Sequence, residues 1–202
     1  MVLLLSFGKQ QGDYPFSKWD TATTEKANSA KNISYLSNEE KKIVYYVNLV
    51  RLNPELFAKT YFQKYMDSTK TKLTTFSRSL QHDLTAIYKP MNILTPKQDL
   101  AEEALDHAKD LVKSDKTGHF TSDGKSYNFR MKKFKDIYSS VVEDCSYEHQ
   151  KPLSVVINLL INEGQGSIEY RKNILDKKLK YIGASVQPYK KGKGICVIDF
   201  AK

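Results

Sequence analysis

Apolar residues recur every three or four positions through most of residues 37–135, and run almost unbroken or alternate near the end of the chain. The first periodic stretch opens at Ser37-Asn38-Glu39-Glu40, a capping box with Ser37 as N-cap and Glu40 at N3. It carries Ile43, Val44, Val47 and Val50 on one face and so predicts a helix. Asn53-Pro54 ends that helix, because proline disfavours helix in the residue before it, and Pro54 suits the first position of a second helix over 54–66. Leu73, Phe76, Leu80, Leu84 and Ile87 predict a third helix over about 72–88, which leaves His82 off the stripe as a solvated histidine. Thr95 as N-cap and Pro96 at N1 predict a fourth, with Leu100, Ala104, His107, Ala108 and Leu111 as its apolar face. His107 there reads as a hydrogen-bonded core histidine rather than a ligand.

Two glycines and an Asp-Gly pair mark Thr117–Gly124 as a loop, and a short helix follows at Arg130–Phe134. Val141–Tyr147 reads as a strand. Pro152 opens a helix that is apolar nearly all round and therefore central, ending at Asn162-Glu163-Gly164. Residues 170–175 form a single helical turn. Strands over 180–186 and 194–200, joined by a segment with Pro188 and Gly192, read as a hairpin whose second strand suits burial on both faces. Helices first and an antiparallel hairpin last predict an α+β domain. Residues 9–36 carry no sustained period and read as an extended lead-in, pinned to the domain by Trp19. The division expected is 1–36 as export-signal remnant and lead-in, and 37–202 as the domain.

Composition narrows the class only slightly. Hydrophobic content of 40% and charged content of 27% are ordinary for a globular chain of 202 residues, enough for one sizeable core. The net charge of +9 favours anionic partners. The lysines nevertheless come as scattered pairs, with no arginine-rich helix or aromatic strand beside them, which argues for a solvated basic surface and against specific nucleic-acid binding. Met1–Gly8 is apolar but short of the basic start and run of about 7–15 residues that an export signal needs. It reads equally as the tail of such a signal or as a slightly apolar terminus. No run of about 18 apolar residues suggests a transmembrane helix. Cys145 and Cys196 both fall in predicted strands, and either one disulfide or two buried thiols satisfies the sequence.

The candidate chemistry lies in three separated stretches: His119 in the Gly-flanked loop Thr117-Gly118-His119-Phe120, Glu143 within the apolar run Val141–Tyr147, and the basic turn Tyr170–Leu175. Their order and spacing suggest one cleft assembled from three parts of the chain. With the elements in place, several motifs resemble the CAP superfamily (cysteine-rich secretory, antigen 5 and pathogenesis-related proteins) in its bacterial SCP-like branch. They are Asn48–Pro54, His107-Ala108-Lys109-Asp110, Thr117-Gly118-His119 with Ser122-Asp123-Gly124, Val142-Glu143-Asp144, Leu159–Gly164 with Tyr170–Leu175, and Cys196–Ala201. The resemblance covers about residues 37–201. It implies an α-β-α sandwich, a small antiparallel sheet between helical layers, in a protein that is secreted or periplasmic.

The family's cleft is lined by two histidines and two acids, which in some members bind a divalent metal such as zinc. On this chain the resemblance gives His119 the first histidine position and Glu143 the first acid position. The second acid falls at Asn162 or Glu163. Tyr170 stands where the second histidine is expected, and a neutral phenol is a poor zinc ligand. At most a weak, water-rich divalent site at His119 and Glu143 is expected, with Glu169 as a contributor, and no cofactor is assigned. The expected function is a non-catalytic module that holds a small molecule, lipid or peptide among His119, Glu143, Glu163 and Tyr170, with an anionic surface as a further contact. The alternatives are a hydrolase using His119 and Glu143, with Ser122 or Ser146 as imaginable nucleophiles, and a structural remnant with no ligand.

Overall fold

The computed structural model describes residues 18–87, 89–163, 167–190 and 192–202. The apolar start with its export-signal reading, and Gly164, lie outside them. The lead-in is not wholly extended. A helix α1, Thr21–Ala27, forms there because the Asp20 carboxylate accepts from the Thr23 N–H at 2.8 Å. Only Ala27 of that helix is buried, so no apolar period announced it. Trp19 does fasten the arm: it is buried, its indole N–H donates to Thr60 Oγ1 at 3.2 Å, and its ring lies 5.9 Å from Tyr61.

Helix α2, Asn38–Leu52, begins with the predicted capping box, in which Ser37 and Glu40 satisfy each other's backbone N–H. Asn53 then caps α3, Pro54–Phe57, which runs through a π-turn over Ala58–Phe62 into α4, Gln63–Thr69. The widened turn keeps Ala58, Thr60, Tyr61 and Phe62 all buried. Helix α5, Thr75–Ala86, starts later than predicted, behind a Thr74 cap, and leaves Leu73 exposed. The end of α2 is a junction rather than a mere helix stop. Asn48 bonds Ala27 O, Ser29 Oγ and both the N–H and C=O of Leu94. Arg51, fully buried, donates to the carbonyls of Asn92, Ile174, Asp176 and Leu179.

Thr95 and Pro96 do not cap a helix. They form a short strand, β1, parallel to β3 (Tyr181–Tyr189), and Pro96 is tolerated because β1 is an edge. Lys97 then remains extended and helix α6 spans Gln98–Ser114. After α7, Tyr127–Met131, and a 3₁₀ turn over Lys132–Phe134 come β2, Val141–Tyr147; α8, Pro152–Ile161; α9, Glu169–Ile174; and, after β3, the final strand β4, Lys193–Ala201. The sheet runs β1-β3-β4-β2, with antiparallel pairing except at β1, so it is mixed rather than purely antiparallel. β4 is central and buried from Gly194 to Ala201, as its poor alternation predicted.

Helices cover both faces, which makes the α-β-α sandwich. Cys196, Ile198 and Phe200 of β4 share a core with α2 and α8, while Ile195 and Val197 pack with Ala104, Ala108 and Leu111 of α6. This alternation settles the cysteines. Ser146, not Cys145, stands opposite Cys196 in the β2–β4 register, so the two thiols lie on opposite faces of the sheet, and both are free and buried. Helix α6 sits so close to β3 that a Cβ on Gly183 would meet Ala101 N at 2.2 Å.

Candidate functional site

The loop that carries His119 is fastened at both ends by α6. His107, buried on its inner face, donates from Nε2 to Gly118 O at 3.1 Å, so it is the hydrogen-bonded core histidine expected. One turn further along, Asp110 accepts from Ser122 N at 2.6 Å and from Ser122 Oγ at 2.5 Å. Tyr147 of β2 takes the Gly118 N–H at 2.7 Å. Gly118 itself has φ 101°, a conformation that costs a side chain but not glycine. Residues 107, 110 and 118 thus fix where His119 emerges.

His119 then meets the two partners that the sequence suggested. Its Nδ1 lies 2.7 Å from Glu143 Oε1 and its Nε2 lies 2.9 Å from the Tyr170 hydroxyl. A carboxylate only accepts, so Nδ1 carries the proton, and in the neutral ring the Nε2 lone pair then accepts the tyrosine O–H. Glu143 is buried on the edge strand β2. Burial alone would raise its pKa, but the His119 hydrogen bond and the Arg130 charge outweigh burial and hold it below the usual carboxylate range. Tyr170 is pushed well above the usual phenol range, chiefly by burial, so it stays a neutral donor.

Arg130, in the short helix that the sequence predicts, holds the Glu143 carboxylate in place. One of its terminal nitrogens, Nη2, lies 2.7 Å from each oxygen of Glu143, and the other, Nη1, lies 2.6 Å from Glu103. Glu103 stands one helical turn before His107 on α6, a spacing that could have flagged it; nothing in the sequence pairs Arg130 with Glu143. Asp199, opposite Glu143 in the strand register, is fully buried and neither of its oxygens finds a partner among the described residues. Its pKa is raised well above the usual value, by burial first and by repulsion from Glu143 second.

Helix α9 presents Tyr170 because the next residue anchors the turn. Arg171 is buried and donates to Leu160 O, Ile161 O, Phe76 O, Ser79 Oγ and Asp83 Oδ2. Asn173, one turn on, donates to Asp144 at 2.7 Å. His119, Tyr127, Val142, Glu143, Glu169, Tyr170 and Asn173 together line a cavity of about 340 Å³. A second cavity of about 630 Å³, between α5 and α9, shares Glu169 and Asn173 with it. Of the predicted residues, His119, Glu143 and Tyr170 converge. Glu163 does not: it is exposed on the turn after α8 and is not among the residues lining the cleft. Asn162 is buried there with φ 55° and hydrogen-bonds to Ser167 O. Neither supplies a second acid to the cleft. The two serines also point elsewhere, Ser122 to Asp110 and Ser146 to Asn158.

The donor set does not fit the divalent metal that the resemblance implies. An open zinc site usually takes three protein ligands. Here the one imidazole lone pair facing the cleft accepts from Tyr170, and both oxygens of Glu143 are held by Arg130. His107, Glu143 and Cys145 also bring ligand atoms within 4.8 Å of one another. In that trio His107 Nε2 is already donating, and burial raises the Cys145 thiol far from its ionised form.

Three layers with a histidine–carboxylate pair at the free edge of the sheet define a small cleft-bearing sandwich domain. Residues 44–200 match the model of the CAP family, the cysteine-rich secretory protein family, and the chain belongs to that family. Comparison with curated proteins finds no match. Among solved structures, similarity extends to an extracellular protein containing an SCP domain from Bacillus anthracis, at 17% identity and a TM-score of 0.45, over 65% of this chain and 45% of that one. The matched part is thus less than half of the Bacillus protein. An outer surface protein of Borrelia burgdorferi aligns at 19% identity and a TM-score of 0.46, over 63% of this chain and 88% of that one. Venom allergen-like protein 4 of Schistosoma mansoni aligns at 13% identity and a TM-score of 0.48, over 82% and 89%.

Proposed function

We propose that this chain is an exported, non-catalytic binding module that holds a small, largely uncharged, ring-containing molecule in the cleft between the His119 loop, β2 and α9. One observation carries the reading: the guanidinium, carboxylate and imidazole at the cleft are already spent on one another and on Tyr170, and the Tyr127 hydroxyl alone among the buried lining groups has no partner among the described residues. Arg130, Glu143, His119 and Tyr170 form an unbroken chain of contacts at 2.7–2.9 Å. A cavity of about 340 Å³ remains, walled by the rings of Tyr127 and Tyr170, by Val142, by the amide of Asn173 and by the exposed Glu169, which pairs with Lys172. Such walls offer stacking and a few neutral hydrogen bonds, which orient a ligand without attacking it. Membership of a secretory family supports export, and no described helix is long and apolar enough to cross a membrane. The test is protein-observed NMR with a library of neutral aromatic fragments. Binders should shift the His119 and Tyr170 side-chain signals and be excluded by Val142→Phe, which fills the cleft. If no fragment at millimolar concentration moves those signals, the reading fails.

A second reading rests on the order Glu143–His119–Tyr170, a carboxylate, an imidazole and a hydroxyl within hydrogen-bonding reach, as nucleophilic catalysis requires. It predicts metal-free turnover of an activated ester such as p-nitrophenyl acetate, lost in both Glu143→Gln and Tyr170→Phe. Turnover that persists in both variants removes it.

A further inference from the structure

We infer that Arg130 is the resident cation of this cleft: its guanidinium supplies the positive charge that Glu143 would otherwise draw from a divalent ion, and so makes the cleft independent of metal. Three acid groups are enclosed between the sheet and α6. Glu103 and Glu143 are each 6% exposed, and Asp199, opposite Glu143 in the β2–β4 register, is 0% exposed. Acid groups crowded into one low-dielectric layer must either take up a proton, as burial favours for Asp199, or be enclosed with a cation. The Arg130 side chain is 7% exposed and bridges two of the three, whereas Lys133, which also reaches Glu103, is half in water.

The chemistry of the bridge explains why an arginine serves. A guanidinium is planar, always charged, and donates in two directions at fixed geometry, so one group can hold two carboxylates together. Ser126 caps the short helix α7 and brings Arg130 across the cluster, where Nη2 also reaches His119 O at 3.4 Å. The consequence passes along the chain of contacts. With both of its oxygens on Arg130, Glu143 is held as the acceptor for His119 Nδ1, and the His119 Nε2 lone pair is turned to Tyr170. Arg130 is therefore a positioning residue. A divalent ion and Arg130 would compete for the same carboxylates, and the cluster has one or the other.

The test is a zinc chloride titration of chelator-stripped protein, read by calorimetry and by thermal unfolding. The wild type should take up no stoichiometric zinc and keep its Tm. Arg130→Gln leaves Glu143 without its cation and Glu103 with only the half-exposed Lys133; it should gain zinc uptake at least about tenfold tighter than any shown by the wild type, with zinc raising its Tm by about 5 °C. Arg130→Lys, which restores the charge, should return the indifference of the wild type. A merely structural arginine would predict loss of stability in Arg130→Gln with no gain of zinc, and that result overturns the inference. Stoichiometric zinc binding by the wild type, abolished by His119→Ala, overturns it as well. If Arg130→Gln is unfolded alone, recovery of its fold on adding zinc supports the inference, and failure to recover counts against it.

Discussion

Glu143→Gln removes one charge from a buried pair and keeps the shape of the side chain, so it isolates what the ion pair contributes. Breaking a buried pair by removing one partner typically costs about 3–5 kcal/mol, because the remaining charge is left uncompensated. Arg130 still has Glu103 at 2.6 Å, and a glutamine oxygen can still accept from His119 or Arg130. The expected loss at pH 7 is therefore at the lower end, about 3 kcal/mol. The pH dependence gives a second check. The folded-state pKa of Glu143 lies below its unfolded value, so its contribution is present above about pH 4.3 and is lost as pH falls through the folded value. The deficit of the variant should thus be full at pH 7 and smaller at pH 3, shrinking further as pH falls through the folded value. Urea unfolding at both pH values reads it, with the buried Trp19 against Tyr61 as the fluorescent reporter. A deficit below about 1 kcal/mol at pH 7, or one that does not change with pH, refutes the pairing.

Three further substitutions probe the frame around the cleft. Arg51→Lys cannot reproduce a fork that reaches four backbone carbonyls and should lower stability by about 2–4 kcal/mol in the same urea assay, with a loss under about 1 kcal/mol counting against the junction. Gly183→Ala drives a methyl into the backbone of α6 and should cost about 3 kcal/mol or more, read as loss of soluble folded protein or a lowered Tm. Asp199→Asn has the opposite sign. A raised folded-state pKa means that the stability of the wild type is fully present below about pH 3.9 and declines as pH rises towards the folded value. The variant should therefore be more stable than the wild type by about 1–2 kcal/mol at pH 7 and show no advantage near pH 3.

The parts of this molecule that the sequence made legible are those where local rules and tertiary context agree. The Ser37–Glu40 box, the all-apolar α8 and the weakly alternating β4 each occupy the position their pattern requires. Thr95-Pro96 shows the opposite case. Its cap-and-proline signature is a good helix start, but pairing of Thr95 and Lys97 with Lys180 and Ile182 of the neighbouring segment holds it extended. In the cleft, the order and spacing of the three stretches pointed to one site, and the family resemblance assigned His119, Glu143 and Tyr170 their positions in it. The second acid position, open in the sequence between Asn162 and Glu163, falls on the left-handed turn at the end of α8, which periodicity does not register, and neither residue lines the cleft. Arg130 and Asp199 were missed for a different reason. Their meaning comes from a strand register and a helix crossing that bring together residues far apart in sequence, and no spacing rule encodes that.

The most direct test of the whole account is the nitrogen-15 spectrum of the His119 ring in the wild-type protein near neutral pH. The contacts to Glu143 and Tyr170 require a protonated Nδ1 and a bare Nε2 that moves when Tyr170 is changed to Phe, with neither signal altered by equimolar zinc. A proton on Nε2, or an Nε2 signal displaced by zinc in the wild type, would contradict it.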